Sequence, residues 1–221
     1  MKSKVNALFN KFKPRLILGA IAIVILLLSF TIGTFNPNPL TLSKIRNSVE
    51  DQIIERAKTL GLHEPDFIYN NTESFIAAVD KCVNYLNFMM HSDERVPSGI
   101  LIAMAGVESG WGTSRFSTVG NNLFGIRTWD PKIPSMKPQG NPNAKFGVRI
   151  FKTKCDSVKY VIKTLNNHHA YGEFRLEREK QSGFWKETWN YDLLVPTLDK
   201  WSTNENYADI ILGQIKDRNL P

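Results

Sequence analysis

The segment that most restricts the possible folds of this chain is SGILIAMAGVE, which runs from Ser98 to Glu108 and has no charged side chain before its last residue. A helix that is apolar on all sides is stable only when other elements cover it. The chain has 221 residues, 42% of them hydrophobic, which is enough to build such a cover. The sequence therefore predicts a mainly helical domain with this segment inside it.

Helical periodicity recurs on both sides of that segment, with apolar residues three or four positions apart. The further predicted helices cover residues 41–60, 72–90, a stretch that starts at Thr153, and then 173–181, 187–194 and 204–217. Asn71 or Thr72 is the expected cap of the second of these. Only 122–129 and 145–151 resemble strands, and the segment between them has four prolines. Two short strands joined in this way predict an irregular hairpin or lobe between the helices.

The net charge of +7 is unevenly distributed along the chain. Five Lys and Arg residues fall within the first 15 positions, and the first acid comes later than residue 35, so residues 36–221 carry only +2. A protein that binds nucleic acid through charge concentrates basic residues on its folded domain. The charge distribution therefore argues against a nucleic-acid partner.

The N-terminal basic residues precede an uncharged run of eighteen residues, 16–33. That length is close to the ~20 residues of a membrane-spanning helix. Because the basic residues lie on its N-terminal side, we expect residues 1–15 in the cytoplasm, an anchor over 16–34 and the rest outside the cytoplasm. A cleaved signal sequence with a cleavage site near Gly33 is the alternative. Residues 35–71 then read as a linker and connecting helix, and 72–221 as the main domain.

The chain has two cysteines, Cys82 and Cys155. Cys82 falls at the helical spacing of core residues, so a buried thiol is the favoured interpretation. A Cys82–Cys155 disulfide is the alternative, since the predicted compartment permits one. No Cys or His spacing resembles a zinc site, and the sequence predicts neither a metal nor a cofactor.

Glu108 breaks a local rule, because a carboxylate in the last turn of a helix lies against the negative end of the helix dipole. Such conflicts often mark functional sites. An apolar helix delivers Glu108 to a turn that contains Gly110 and Gly112, which we expect to let a ligand approach the backbone. Burial and the dipole both raise the pKa of a carboxyl group. A Glu that keeps its proton near neutral pH is suited to general acid catalysis.

Two motifs give the chain a family resemblance. The first is ESGWG, from Glu108 to Gly112, and the second is NNLFGI, from Asn121 to Ile126. Together they resemble the signature of glycoside hydrolase family 73, whose members are bacterial endo-β-N-acetylglucosaminidases that cut peptidoglycan. The run after Phe146 and the N-terminal apolar segment resemble the Bax-type members in Gram-negative bacteria. The resemblance covers roughly residues 72–217.

The resemblance implies a lysozyme-like α-helical fold with a small β-hairpin lobe, in a catalytic domain at 72–221. It implies an inner-membrane protein with that domain in the periplasm and peptidoglycan as substrate. Glu108 would be the general acid, and Tyr207, in an Asn-Tyr-Ala motif, would line the catalytic cleft. From the periodicity alone, Tyr207 is instead a core residue of the last helix.

The sequence departs from the family at the second catalytic group. Many members place another Glu in the lobe, but between Arg127 and Phe151 this chain has a single acid, Asp130. A two-carboxylate mechanism then depends on Asp130. The alternative to Asp130 is that the 2-acetamido group of the substrate acts as the nucleophile. Tyr207 would then polarise or position that group.

A glycan-binding groove also needs aromatic platforms and polar contacts. The candidates for stacking are Trp111, Phe124, Trp129 and Tyr171, and those for polar contacts are Asn121, Asn122 and Arg127. Each of these has a structural role as its alternative. His168 and His169 are adjacent and point apart on a helix, so helix-end capping is favoured over a catalytic or metal-binding pair.

Three other functions fit part of the sequence. A lytic transglycosylase also uses one Glu without a second carboxylate. A membrane-anchored peptidoglycan-binding module without activity would explain the lobe that lacks a Glu. A cysteine hydrolase would use Cys82 or Cys155 with His168, but neither cysteine has the sequence context of a nucleophile. The predicted function is hydrolysis of peptidoglycan glycan strands with Glu108 as the general acid.

Overall fold

A computed structural model of the protein describes residues 13–14, 17–30, 38–181 and 189–221. The chain divides into two compact units, Met1–Gln52 and Ile53–Pro221. Residues 17–30 form a helix, α1, while most of the predicted cytoplasmic segment and residues 31–37 lie outside the described residues. Within the four described ranges, no helix combines the length and apolar character that a bilayer crossing requires. The membrane anchor stays a prediction.

The fold is mainly helical, as predicted. The helices are α2 (Pro39–Thr59), α3 (Thr72–Phe88), α4 (Ser98–Ser109), α5 (Arg115–Gly120), α6 (Lys154–Asn167), α7 (Gly172–Gln181), α8 (Tyr191–Leu194) and α9 (Tyr207–Asp217). Two short 3₁₀ helices, His169–Tyr171 and Val195–Leu198, join α6 to α7 and follow α8. The second compact unit includes the last turns of α2 and the loop after it, which the sequence places in a connecting segment.

Helix α4 is the centre of the core. All of its residues from Gly99 to Gly106 are buried, and it packs between α3 and α9. Burying one Leu or Ile side chain contributes about 1.5–3 kcal/mol, so this apolar helix is a main source of stability. The prediction that Ser98–Glu108 lies inside a helical domain is confirmed.

The predicted helix starts are confirmed by their capping interactions. The Asn71 side chain accepts a hydrogen bond from the Ser74 amide at the start of α3. Thr153 and Asp156 form the equivalent reciprocal pair at the start of α6. Each such cap satisfies backbone amides that have no partner within the helix.

The predicted hairpin is a three-stranded antiparallel sheet. Its strands are β1 (Arg127–Thr128), β2 (Ser135–Met136) and β3 (Gly147–Arg149), in the order β1-β3-β2. The sequence missed β2 because it is two residues long and lies inside the Pro-rich segment, where no alternation of apolar residues is readable. Helix α5 was missed for a similar reason, since its six residues include no helical period. We call residues 127–152 the sheet lobe.

The two cysteines form a disulfide, which corrects the favoured interpretation of a buried thiol. Cys82 on α3 and Cys155 on α6 are fully buried, with their Cα atoms 5.8 Å apart. Helical spacing places Cys82 on the core face but does not indicate which residue faces it. The bond links positions 73 residues apart, and the chain-entropy model gives such a crosslink about 4 kcal/mol.

Candidate active site

Glu108 lies where the central helix reaches the surface. The residues of α4 up to Gly106 are buried, whereas Val107 and Glu108 are exposed to solvent. The prediction that the helix before Glu108 is buried is confirmed, and the carboxylate lies at the accessible end of that helix. A carboxylate on the most buried helix of the domain is held rigidly and is still accessible to a substrate.

The turn after Glu108 is fixed by an unusual run of backbone conformations. Gly110, Trp111 and Gly112 all have positive φ angles, of 60°, 55° and 84°. The Ser109 hydroxyl accepts a hydrogen bond from the Gly112 amide at 2.8 Å, which closes the turn. A left-handed residue after a helix is a common terminator, and Gly adopts it without strain.

We expected the glycines of this turn to let a ligand approach the backbone, but Gly112 has a different role. A Cβ atom on Gly112 would lie 2.6 Å from the rings of both Tyr69 and Phe75. The Tyr69 hydroxyl also donates a hydrogen bond to the Gly112 carbonyl at 2.7 Å. Gly112 is therefore needed for close packing of the turn against two aromatic rings.

Trp201 contacts Glu108 directly and was missed by the sequence analysis. Its indole Nε1 donates a hydrogen bond to Glu108 Oε1 at 3.2 Å. The indole ring packs near Phe124 and Tyr171, at centroid distances of 6.4 and 6.2 Å. These two rings are buried, so they fix the plane of the indole and the direction of its N–H group. The only sequence signal that could have identified Trp201 as a site residue is its position, six residues before Tyr207.

Tyr207 begins α9 and is buried next to Glu108. Its hydroxyl forms no hydrogen bond of normal geometry with the described residues, but it faces the Glu108 carboxyl closely enough for a weak hydrogen-bonding interaction that lowers the pKa of Glu108 and raises that of Tyr207. Burial raises the pKa of Tyr207, and the neighbouring Glu108 carboxylate raises it further. A buried polar atom without a partner costs about 1–3 kcal/mol, so this hydroxyl is available for a ligand.

The environment of Glu108 shifts its pKa in two opposite directions. Burial against the surrounding protein raises it, while the indole of Trp201, the hydroxyl of Tyr207 and the charge of Arg127 lower it. The net result is a pKa above the ordinary 4.5. The carboxylate thus combines contact with solvent on one side and poor hydration on the others.

Arg127 and Trp129 lie on the sheet lobe, and both were predicted as substrate contacts. The Arg127 guanidinium stacks on the ring of Phe146, 4.4 Å from its centroid, while its charge acts on Glu108. The Trp129 ring is 6.1 Å from the same phenyl ring, and 67% of this tryptophan is exposed. The two side chains and Phe146 form a surface that suits a sugar ring.

Trp111 has structural contacts in the folded protein. Its ring packs edge-on against Phe75 at 6.1 Å, and the Arg218 guanidinium lies 4.0 Å above it. A Cβ atom on Gly106 would lie 2.6 Å from the same indole. The residue is partly buried, and its predicted stacking on a glycan stays a prediction.

Asn121 and Asn122 make structural hydrogen bonds, and their predicted contacts to substrate stay a prediction. Asn121 has a left-handed conformation after α5, and its side-chain amide donates to the carbonyls of Phe151 and Lys152. Asn122 is buried, and its side chain makes four backbone hydrogen bonds that hold the turn before β1 against β3. Phe124 and Tyr171 are buried behind Trp201, so they support the site and do not form its surface.

Asp130 does not approach Glu108 through any contact in the described part of the chain. Its carboxylate accepts a hydrogen bond from the Lys132 amide at 2.9 Å, which closes a turn between β1 and β2. The residue is exposed. An aspartate that stabilises its own turn in this way has an ordinary structural role.

His168 follows α6, and its Nδ1 accepts a hydrogen bond from the Ala170 amide at the start of the 3₁₀ helix, so the predicted helix-end capping is confirmed. The rings of His168 and His169 stack at 4.3 Å, which corrects the expectation that they point apart. In the ranges that the structure describes, no group of three or more His, Cys, Asp or Glu residues is arranged to hold a metal ion.

Comparison with known proteins now identifies the family. The model of the family described as "Glucosaminidase: Mannosyl-glycoprotein endo-beta-N-acetylglucosaminidase" matches residues 88–220, which is more than half of the chain. The chain belongs to the glucosaminidase family. It is therefore related to glycoside hydrolases, and the match includes Glu108, Trp201 and Tyr207.

One relative of this glucosaminidase is Protein bax of Escherichia coli K12, which is 32% identical over 92 residues. That match covers 42% of this chain and only 32% of the relative, about a third of its length. The glycoside hydrolase domain of Salmonella typhimurium FlgJ has a TM-score of 0.50 at 16% identity, covering 68% of this chain and 89% of the domain. The catalytic domain of the Listeria monocytogenes autolysin Auto has a TM-score of 0.49 at 22% identity, covering 77% and 94%. The likeness to the FlgJ domain supports a shared fold.

Proposed function

We propose that this glucosaminidase hydrolyses the glycan strands of bacterial peptidoglycan as an endo-β-N-acetylglucosaminidase, with Glu108 as the general acid. The observation that carries the proposal is the Glu108 carboxyl itself. It is solvent-accessible, held on a buried helix, and has a pKa raised by burial. The family match and the two sequence motifs support peptidoglycan as the substrate.

In this mechanism protonated Glu108 donates its proton to the glycosidic oxygen as the bond to the leaving sugar breaks. Trp201 holds one oxygen of the carboxyl, and the other is available for the proton transfer. Tyr207 has a buried hydroxyl without a hydrogen bond of normal geometry among the described residues, placed next to the same carboxyl. We assign this hydroxyl to a hydrogen bond with the substrate close to the reacting carbon.

For the second catalytic group we propose the substrate-assisted route. Asp130 is exposed, and its carboxylate already accepts a hydrogen bond within its own turn. The 2-acetamido group of the substrate serves as the nucleophile, and the Tyr207 hydroxyl positions it. A water molecule completes hydrolysis after the leaving sugar has departed.

Lytic transglycosylase cleavage is the second candidate, because residues 127–151 contain no Glu and only one acid, Asp130, whose carboxylate is engaged in its own turn. In that reaction the substrate's own 6-hydroxyl replaces water and leaves a 1,6-anhydro sugar. The test is mass analysis of purified peptidoglycan after digestion with the full-length protein. We expect reducing N-acetylglucosamine ends. Anhydro ends would establish the second candidate, and undigested peptidoglycan would support an inactive binding module.

We also propose that residues 16–34 anchor the protein in the inner membrane, with the glucosaminidase domain in the periplasm. The basic residues on one side of the apolar run support this orientation. The Cys82–Cys155 bond agrees with an oxidising compartment. A phosphatase reporter fused after residue 221 should be active, because the phosphatase folds to its active form only in the periplasm. A reporter that works only in the cytoplasm would overturn the proposal, and a mature N-terminus near residue 34 would replace the anchor with a signal sequence.

A further inference from the structure

Positive charge is concentrated on the sheet lobe. Residues 127–152 contain six Lys and Arg residues and one acid, a net charge of +5, whereas residues 36–126 carry −3 and residues 153–221 carry zero. The excess of basic residues in the domain thus comes from one short segment. Such a single-sign surface attracts anions and costs some stability through self-repulsion.

Two of the six cations have roles within the lobe. The Lys137 ammonium donates hydrogen bonds to the carbonyls of Ala144 and Phe146. Arg149 is half-buried, and its guanidinium stacks on Phe151 and Tyr160.

The other four cations are exposed, and within the described residues none forms an ion pair with a carboxylate. They are Arg127, Lys132, Lys145 and Lys152. The one acid of the lobe, Asp130, accepts from the backbone amide of Lys132 and does not neutralise its side chain. Packing of the lobe therefore accounts for Lys137 and Arg149, and stacking on Phe146 accounts for Arg127, so that Lys132, Lys145 and Lys152 are left without a structural reason.

The exposed charge begins at the active site. Arg127 acts on the Glu108 carboxylate and stacks on Phe146, and Lys145 immediately precedes that phenylalanine. Trp129 presents its exposed ring beside the same phenylalanine. A strand that leaves Glu108 along the lobe would meet the aromatic surface of Trp129 and Phe146, on which the Arg127 guanidinium stacks.

We propose that the sheet lobe binds the carboxylates that project from the glycan, so that this site selects anionic strands over neutral polymers of N-acetylglucosamine. The carboxylates are those of the peptides attached to the 3-O-lactyl groups or, where no peptide is attached, those of the lactyl groups themselves. This inference rests on the proposed function and adds to it the chemical class of substrate. Lys132 and Lys145 bind the anions, and Arg127 joins this surface to the catalytic carboxyl.

The test compares two double variants of the full-length protein that lose the same charge. Lys132→Gln/Lys145→Gln alters the lobe, and Lys159→Gln/Lys163→Gln removes two exposed lysines from α6. On soluble anionic strands we expect the lobe variant to raise KM about 3- to 10-fold with kcat within twofold, in line with exposed charge pairs. The α6 variant should keep the wild-type KM. Raising the salt concentration should reduce the difference.

Two further substrates identify the carboxylates. Strands stripped of peptides by an amidase expose the lactyl carboxylate, which is an uncharged amide in intact strands, and N-acetylglucosamine oligomers have neither carboxylate. A KM increase on intact strands alone assigns the peptide carboxylates, an increase on stripped strands alone assigns the lactyl carboxylates, and an increase on both shows that the lobe binds either. Equal KM values for both double variants, or an equal increase with the neutral oligomers, would overturn the inference.

A binding measurement separates this inference from the proposed function. The Kd of intact strands is measured for Glu108→Gln with and without the two lobe substitutions. Weaker binding on loss of the lobe lysines supports the inference even if the wild-type protein cleaves nothing, a result that would overturn the hydrolase alone. Unchanged binding, in a protein that does cleave strands, would overturn the inference and keep the hydrolase.

Discussion

The helical side of the active site and the sheet lobe are built by different rules. On the helical side, Glu108, Trp201 and Tyr207 are fixed by a buried helix and by stacked aromatic rings. The lobe has three strands of two or three residues, and most of its polar side chains are exposed. One side is rigid and poorly hydrated, and the other is wet and charged.

This difference assigns separate tasks to the two sides. Proton transfer requires a carboxyl with a raised pKa in a fixed position, which only a packed environment provides. Binding a long polymer requires several weak contacts, which exposed charges and rings provide without a rigid frame. Substitutions on the helical side should therefore change kcat or its pH dependence, and substitutions in the lobe should change KM.

The largest effect is expected for Glu108→Gln. The amide keeps the shape and cannot donate a proton, so kcat should fall by about 100-fold or more. Since burial raises the folded-state pKa of Glu108, the native state loses stability as the pH rises from 4.5 through that raised pKa. The variant should therefore melt at the same temperature as wild type or higher, and its advantage should grow over that pH range. Lost activity together with a collapsed melting temperature would instead make Glu108 a structural residue.

The second largest effect is expected for Tyr207→Phe. Its hydroxyl forms no hydrogen bond of normal geometry with the described residues, so removing it should not lower the melting temperature. If the hydroxyl binds substrate at the reacting centre, kcat should fall by about 10- to 100-fold, somewhat below the loss of a dedicated transition-state donor. Wild-type kcat with a lower melting temperature would show that Tyr207 is only a core residue.

A smaller effect, on pH dependence, is expected for Trp201→Phe. The phenyl ring retains much of the stacking with Phe124 and Tyr171 but does not donate to Glu108. Because that hydrogen bond stabilises the carboxylate, its loss should raise the pKa of Glu108 and move the basic limb of the kcat/KM profile to higher pH. Phe124→Leu is the matched control, since it alters the packing and keeps the donor. An unchanged limb for Trp201→Phe would contradict the assignment.

The smallest effect is expected for Asp130→Asn. The asparagine side chain can accept the same hydrogen bond from the Lys132 amide, and the residue does not contact Glu108. Activity on peptidoglycan should stay within about threefold of wild type. A loss of about 100-fold, the size of a general-base effect, would make Asp130 the second carboxylate and exclude the substrate-assisted route.

The helical side was predictable because helical periodicity repeats over many residues. The apolar helix before Glu108 and the caps at Asn71 and Thr153 were readable in this way, whereas the cleft role of Tyr207 was implied only by the family resemblance. What periodicity does not report is the partner across a contact. It therefore missed the Cys82–Cys155 bond and the indole of Trp201 over Glu108.

The lobe was less predictable because its strands have only two or three residues, too few to show the alternation of apolar and polar side chains that indicates a strand. The type of a residue also does not show whether its side chain is free to bind substrate or is used in packing. Asn121 and Asn122 have the chemistry of substrate contacts, but their amides satisfy buried backbone groups. Trp111 and Trp129 are both tryptophans beside candidate motifs, yet the first is covered by Arg218 and the second is exposed.

The most direct test of the division between the two sides is to measure kcat and KM on soluble anionic strands for two variants in parallel. Glu108→Gln should lose kcat by about 100-fold or more, with the Kd of the strands within about threefold of the KM of wild type. Lys132→Gln/Lys145→Gln should keep kcat and raise KM. Near-normal kcat in Glu108→Gln, or a loss confined to kcat in the lobe variant, would contradict the account.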